Sequence, residues 1–221
     1  MTFKMIQLIV YDLDGTLIDS RLDIANAVNG TLKEFGLGGL PMEKVASFVG
    51  SGVKNLMQQV LKETGAKPLP SLERAIKIFR RRYGEHLLEH TRLYPSVRKV
   101  LEFFKDRRQA VMTNKPENFS LTILQGLGVD SYFFRVLGGD GGFPKKPAPE
   151  PLFEILRSAG VSPDKAVLVG DSATDIETGR NAGVRTLAVT YGFGSREEIE
   201  SARPEMILED LAELMECPLM K

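Results

Sequence analysis

The stretch LIVYDLDGTLIDS, Leu8 to Ser20, sets an apolar run against two acids separated only by Leu13. Met5–Val10 is rich in β-branched residues and is bounded by Asp12 and Gly15, which predicts a short buried strand. Carboxylates two residues apart repel each other and are costly to take out of water. A buried strand that ends in Asp12 and Asp14 therefore needs something nearby that offsets their charge.

Working outward, Ser20 and Asp23 have the spacing of a capping box variant ahead of a helical pattern. Ile24, Val28, Leu32 and Phe35 recur at helical spacing, and Gly36 is placed to stop the helix. A short segment at Val45–Phe48 is broken by Gly50-Ser51-Gly52, and a second amphipathic helix runs over Val53–Thr64. Leu72, Ile76, Phe79, Tyr83 and Leu87 form another stripe, so residues 19–90 predict helices and no strand. Beyond Tyr94-Pro95 the pattern alternates. Helices at Ser96–Arg107, Glu117–Leu127, Pro151–Ala159 and Asp175–Ala182 precede strands at Gln109–Met112, Arg135–Leu137, Ala166–Val169 and Arg185–Val189. A last strand at Met206–Leu208 leads to a helix near Asp210–Met215. Such alternation predicts an α/β fold on a parallel sheet, with the helical block inserted after the first strand.

The bulk composition narrows the function. Among 221 residues, 29 are Lys or Arg and 29 are Asp or Glu. That balance speaks against a broad basic surface for nucleic acid and leaves room for a local anion pocket. Cys217 stands alone, so no internal disulfide forms, and it reads as a small apolar filler. No apolar run is long enough to span a bilayer, and the first run lacks a cleavage pattern. A cytoplasmic protein is expected, with no membrane or nucleic-acid partner, as a monomer or a homodimer.

Open parallel sheets bind ligands beyond the C-terminal ends of their strands. Here those ends carry Asp12, Asp14 and Thr16, then Thr113-Asn114, then Lys145-Lys146-Pro147, then Asp171, Ser172 and Asp175. Clustered carboxylates suit a hard cation such as Mg²⁺, which offsets their repulsion and screens an approaching phosphate. Asp12 is then the candidate nucleophile on phosphorus. Asp14 is the candidate acid and base, protonating the leaving oxygen and activating water afterwards. Thr113, with Asn114 beside it, and a lysine are the candidate phosphate ligands. Lys146, ahead of a Pro-x-Pro pattern, is the chosen lysine, and Lys145 should point elsewhere because adjacent side chains of an extended segment diverge.

In order, DLDGT (12–16), TN (113–114), KPAP (146–149) and GDSATD (170–175) resemble the haloacid dehalogenase-like hydrolases, and the flanking text resembles their phosphoglycolate phosphatase-type branch. The resemblance implies a Rossmann-like, doubly wound core at 1–18 and 91–221 and a mobile helical cap at 19–90. It implies Mg²⁺ held by Asp12, the Asp14 backbone carbonyl and Asp171, with Asp175 behind them. It implies hydrolysis of a small phosphorylated metabolite, 2-phosphoglycolate in the first instance, through an aspartyl phosphate. A pyrophosphatase and a hexose-phosphate mutase share every core residue named. A phospho-aspartate receiver module is the rival outside enzymes, though it lacks both the insertion and an acid two residues after the nucleophile.

Other positions carry two readings. Asp175 also suits a helix N-terminus, and Thr16 and Ser172 either orient carboxylates or satisfy turn amides. Gly52 and Lys54, at the start of the Val53 helix, are candidates for gripping the non-reacting end of the substrate. His86 and His90 have the i, i+4 spacing of one helical face, without a third metal motif beside them, and read as a solvated face.

Overall fold

The computed structural model describes residues 5–220. In chain order its elements are β1 (Leu8–Tyr11), β2 (Ile18–Asp19), α1 (Arg21–Glu34), α2 (Met42–Ala46), α3 (Val53–Glu63), α4 (Leu72–Glu85) and β3 (Arg92–Leu93). There follow α5 (Val97–Phe103), β4 (Arg108–Met112), α6 (Glu117–Gly126), β5 (Arg135–Leu137), α7 (Glu150–Ala159), β6 (Ala166–Gly170), α8 (Ala173–Ala182), β7 (Arg185–Val189), α9 (Arg196–Ala202) and β8 (Met206–Leu208). Six strands form a parallel sheet in the order β5-β4-β1-β6-β7-β8. The strand order reverses at β1, so the sheet is doubly wound and a crevice opens at its C-terminal edge.

β1 is buried on both faces, as a central parallel strand must be. Ile9 and Tyr11 face a large cluster shared with Val97, Leu101, Ile123 and the helical insert. Leu8 and Val10 face the opposite layer, with Leu152, Ile155 and Ala182 of α7 and α8. Tyr11 pairs with Val111 on one side and Val169 on the other. Carrying that register one residue on sets Asp12 between Met112 and Gly170, each directly followed by a site residue, Thr113 and Asp171. The ladder continues there, with the Asp12 amide donating to the Val169 carbonyl at 2.9 Å and the Thr113 amide to the Leu137 carbonyl at 3.0 Å.

Helices α1–α4 make up the insert. α3 and α4 are amphipathic, burying Leu56, Met57, Val60 and Leu61 from one and Ala75, Ile78, Phe79 and Tyr83 from the other. Both passages between core and insert run through a two-stranded antiparallel ribbon, in which Ile18 pairs with Leu93 and Asp19 with Arg92. The ribbon lies at the limits of residues 19–90, which are otherwise helical as expected, and its two residues per strand leave no periodicity to read. Among the described residues, no helix is long and apolar enough to cross a membrane.

Other expectations need correction. The first strand starts at Leu8, three residues later than its apolar composition suggests, and Met5 is exposed. Ser20 sits at the N-cap of α1 but makes no capping bond. Its hydroxyl donates to Asp14 Oδ1 at 2.5 Å instead. Asp23 does not cap α1 either. It is buried and accepts from the backbone amides of His90 (3.0 Å) and Thr91 (2.8 Å) and from the Thr91 hydroxyl (2.7 Å). A carboxylate given four partners near the ribbon has no reason to turn back on its own helix. α4 ends at Glu85, so His86 and His90 share no helical face: His86 Nδ1 lies 2.6 Å from Glu89, and His90 Nδ1 lies 2.9 Å from Asp23. The segment at Leu211–Met215 is a 3₁₀ turn rather than an α-helix, and α9, unpredicted, fills the crossover before β8. Cys217 is buried against Met206.

Candidate active site

β1 delivers Asp12 and the turn after it delivers Asp14. Gly15 takes φ +86° in that turn, and a Cβ built there would overlap the Asp171 carboxylate. Glycine is therefore required on two counts, conformation and space. Asp171 leaves the end of β6 into a close-fitting backbone cradle. It accepts from the Phe193 amide at 2.7 Å and from the Thr16 hydroxyl at 3.1 Å, and side chains at Gly192 or Gly194 would collide with it. The Gly192-Phe193-Gly194 loop was missed in the sequence because it carries no chemistry of its own. Its signal is the paired glycines at the end of the next strand, β7.

Asp175 occupies the first turn of α8 in a true capping box with Ser172. Its Oδ2 accepts from the Ser172 hydroxyl at 2.6 Å, while its Oδ1 faces Lys146 Nζ at the same 2.6 Å. The helix N-terminal reading of Asp175 holds, and its other oxygen is turned toward the buried lysine of the site. Lys146 Nζ also lies 2.8 Å from Asp12 Oδ1, and all three side chains are buried. Lys145 points away, against Gly52 in the insert.

One carboxylate oxygen from each of Asp12, Asp171 and Asp175 lies within 4.8 Å of the other two. Asp12 Oδ1 is buried without an aligned hydrogen-bond donor even though Lys146 stands at ion-pair distance. Burial is the main influence on Asp12 and pushes its carboxyl up, with Lys146 pulling it part of the way back. Burial also pushes Asp171 up, and the charges of Asp175 and Asp12 push it further. A compact all-oxygen donor set of three buried acids, with a single lysine at ion-pair distance from two of them, fits a hard divalent cation.

Thr113 and Asn114 follow β4 into the same cavity. The Asn114 carboxamide is engaged: it donates to the Gly50 carbonyl of the insert at 2.7 Å and accepts from the Lys146 amide at 3.0 Å. It thus ties the lysine loop to the insert. Asp14 has partners the sequence reading missed. Lys115 Nζ lies 2.9 and 3.0 Å from its two oxygens and 2.6 Å from the Tyr83 hydroxyl. Lys115 could have been found from its place directly after Thr113-Asn114, whereas Tyr83 looks in sequence like any residue of a core stripe.

The cavity measures about 410 Å³ and lies between the sheet edge and the insert. Asp12, Asp14, Thr113 and Asp171 form its floor, and Ile24, Val49, Leu56, Phe79, Tyr83 and Phe119 form an apolar wall. Gly52 lines it, but Lys54 does not: Lys54 stands with Arg80, Asp140 and Lys145 in an adjoining groove. The positive φ of Gly52 (+84°) turns the chain there, and α3 then carries Lys54 to the outer side.

Comparison with known proteins agrees with this geometry. Residues 9–189 match the family model for haloacid dehalogenase-like hydrolases. The chain is 38% identical to a phosphoglycolate phosphatase of Aquifex aeolicus, over 95% of this chain and 97% of that one. It is 34% identical to one from Chromobacterium violaceum, over 100% and 99%. Its fold superposes on the crystal structure of a predicted phosphoglycolate phosphatase from Haemophilus somnus with a TM-score of 0.92 at 32% identity, covering 96% of this chain and 98% of that one. An ordered set of acidic, hydroxyl and lysine residues on a doubly wound sheet, matched along nearly its whole length, makes this chain a member of the haloacid dehalogenase-like hydrolases.

Proposed function

We propose that the protein is a Mg²⁺-dependent phosphatase whose substrate is 2-phosphoglycolate. The observation that carries this reading is the convergence of Asp12, Asp14, Thr113 and Asp171 on one cavity from separate strand ends, with Lys146 buried 2.8 Å from Asp12. The full-length relatives named as phosphoglycolate phosphatases support the choice of substrate, and a cavity of about 410 Å³ accommodates a small ester.

An Asp12 carboxylate oxygen attacks phosphorus. A new P–O bond forms as the ester P–O bond breaks, and Asp14 gives its proton to the departing oxygen. A water then attacks the aspartyl phosphate. Asp14 takes back a proton, the bond to Asp12 breaks, and inorganic phosphate leaves. Thr113 and Lys146 hold the phosphoryl oxygens during both displacements. Asp12, the Asp14 backbone carbonyl and Asp171 would hold Mg²⁺, with Asp175 behind them. The chemistry the ion would supply there is neutralisation of the converging negative charge, so that a carboxylate can approach a phosphate dianion.

Helices α1–α4, residues 19–90, act as a cap that pivots on the β2–β3 ribbon, closing to exclude water and opening to release product. The test is phosphate release from 2-phosphoglycolate, glucose 1-phosphate and pyrophosphate, with Mg²⁺ and with EDTA. Mg²⁺-dependent release with the highest kcat/KM on 2-phosphoglycolate, abolished by Asp12→Asn, is expected. Equal release in EDTA, or sugar-phosphate isomerisation without release, overturns the reading.

A further inference from the structure

Lys115 is a buried ammonium to which the chemistry above gives no task. Its Nζ spans both oxygens of Asp14, at 2.9 and 3.0 Å, and its remaining partner is the Tyr83 hydroxyl at 2.6 Å. An ammonium only donates, so the Tyr83 oxygen accepts. The three residues come from two parts of the fold. Asp14 and Lys115 follow β1 and β4 of the core, while Tyr83 belongs to α4 of the insert.

Tyr83 is firmly held. It is buried, stacks on Phe79 of its own helix at 5.5 Å, and meets the edge of Phe119 from core helix α6 at 5.6 Å. Its position therefore reports whether α4 is docked on the core. Lys115, by contrast, is a four-carbon stem whose head is fixed only by the partners it finds. Taking Tyr83 away removes one of its hydrogen bonds and its cover from water together.

We infer that Lys115 is a positioning residue for Asp14, and that Tyr83 makes this positioning depend on the helical insert being docked. The inference rests on the reading of Asp14 as acid and base. Proton transfer requires the carboxyl within hydrogen-bond reach and aligned on the leaving oxygen, and a displacement of about 1 Å can cost about a hundredfold in rate. A cap that must be seated before Asp14 is aimed links substrate enclosure to chemistry. An open cap then leaves a misdirected acid rather than an exposed, working one.

The test uses leaving-group dependence, which a merely structural role does not produce. The rate of Asp12 phosphorylation is measured by rapid quench with Mg²⁺ for 2-phosphoglycolate, whose alkoxide needs a proton, and for p-nitrophenyl phosphate, whose phenolate does not. Asp14→Asn sets the reference: loss of the acid is expected to slow the alkyl ester by about 10²–10⁴-fold, with a far smaller loss on the aryl ester. Tyr83→Phe removes one oxygen and keeps the ring packing. It is expected to slow the alkyl ester by about tenfold more than the aryl ester, in kcat rather than KM, as a partial loss of that same effect. Lys115→Met is expected to show the same bias more strongly, and Lys115→Arg to recover part of it. Equal losses on the two esters in Tyr83→Phe and Lys115→Met, or losses confined to KM, overturn the tether while Asp14→Asn still discriminates. If Asp14→Asn does not discriminate either, the acid–base reading fails and the tether falls with it.

Discussion

Replacing Lys146 by Met probes the electrostatics of the site more sharply than any other single change. The substitution keeps an unbranched side chain one atom shorter and removes its charge. In the native protein that charge lies 2.8 Å from Asp12 and 2.6 Å from Asp175, with all three groups buried. Burial works against the ammonium, but Asp12 and then Asp175 overcome it and hold Lys146 protonated well above the ordinary lysine value. Removing one partner of a buried ion pair costs about 3–5 kcal/mol. The loss has a ceiling, because a stranded carboxylate can take up a proton. Neutralising one Asp of ordinary pKa about 4 at pH 7.5 costs about 5 kcal/mol, at about 1.4 kcal/mol per pH unit, and at pH 5.5 only about 2 kcal/mol.

The sign follows from linkage. In the variant the folded pKa of Asp12, already raised by burial, rises further above its unfolded value. The folded state then binds more protons than the unfolded state and gains stability as pH falls. The variant should be about 3–5 kcal/mol less stable than wild type at pH 7.5 in EDTA, and within about 2 kcal/mol at pH 5.5. Urea unfolding followed by circular dichroism, with matched m values, measures both numbers. A difference under about 1 kcal/mol at pH 7.5, or one that does not shrink on acidification, refutes the reasoning.

Other expectations follow from the same geometry. Mg²⁺ at about 100 times its Kd should stabilise the folded protein by about 2.7 kcal/mol, seen as a rise in Tm, and Asp171→Asn should remove most of that gain. Gly15→Ala should cost more than about 1 kcal/mol and most activity, because the new methyl needs a left-handed backbone and the space of the Asp171 carboxylate; unfolding and phosphate-release assays report the two losses. Asp23 supplies a pH dependence. Burial pushes its carboxyl up, but the Thr91 hydroxyl and the His90 and Thr91 amides outweigh burial and hold it below the usual carboxylate range. Its stabilisation is therefore complete above an unfolded pKa of about 4 and lost as pH falls through the lower folded value. Asp23→Asn should be destabilised by about 1–3 kcal/mol at neutral pH and should converge on wild type in acid-unfolding curves.

The sheet was legible because its strands are buried on both faces and end in punctuation that chemistry demands. Asp12 and Asp171 stood out as acids at the ends of apolar runs, and parallel register alone brings them together. Local patterning failed where tertiary partners outbid the local ones. Asp23 has capping spacing and yet serves the return strand, because four partners converge on it there, the amide and ring nitrogen of His90 and the amide and hydroxyl of Thr91. Lys54 follows the glycine turn in sequence, but the turn's own geometry sends it into the neighbouring groove. Lys115 and Tyr83 were hidden for a different reason: their pairing spans 32 positions, joins core to insert, and leaves no periodic trace.

The proposed mechanism passes through a covalent phosphoryl group at Asp12. The direct measurement is to quench the protein in acid during turnover of 2-phosphoglycolate with Mg²⁺, digest it, and locate any added phosphoryl group by mass spectrometry. The phosphate released in ¹⁸O-labelled water is analysed in parallel. An aspartyl-phosphate mechanism requires a hydroxylamine-sensitive phosphoryl group on the peptide bearing Asp12, accumulating if Asp14→Asn slows its hydrolysis, and solvent oxygen in the phosphate released. Phosphate release at the normal rate from Asp12→Asn, or a phosphoryl group found on another residue, would contradict it.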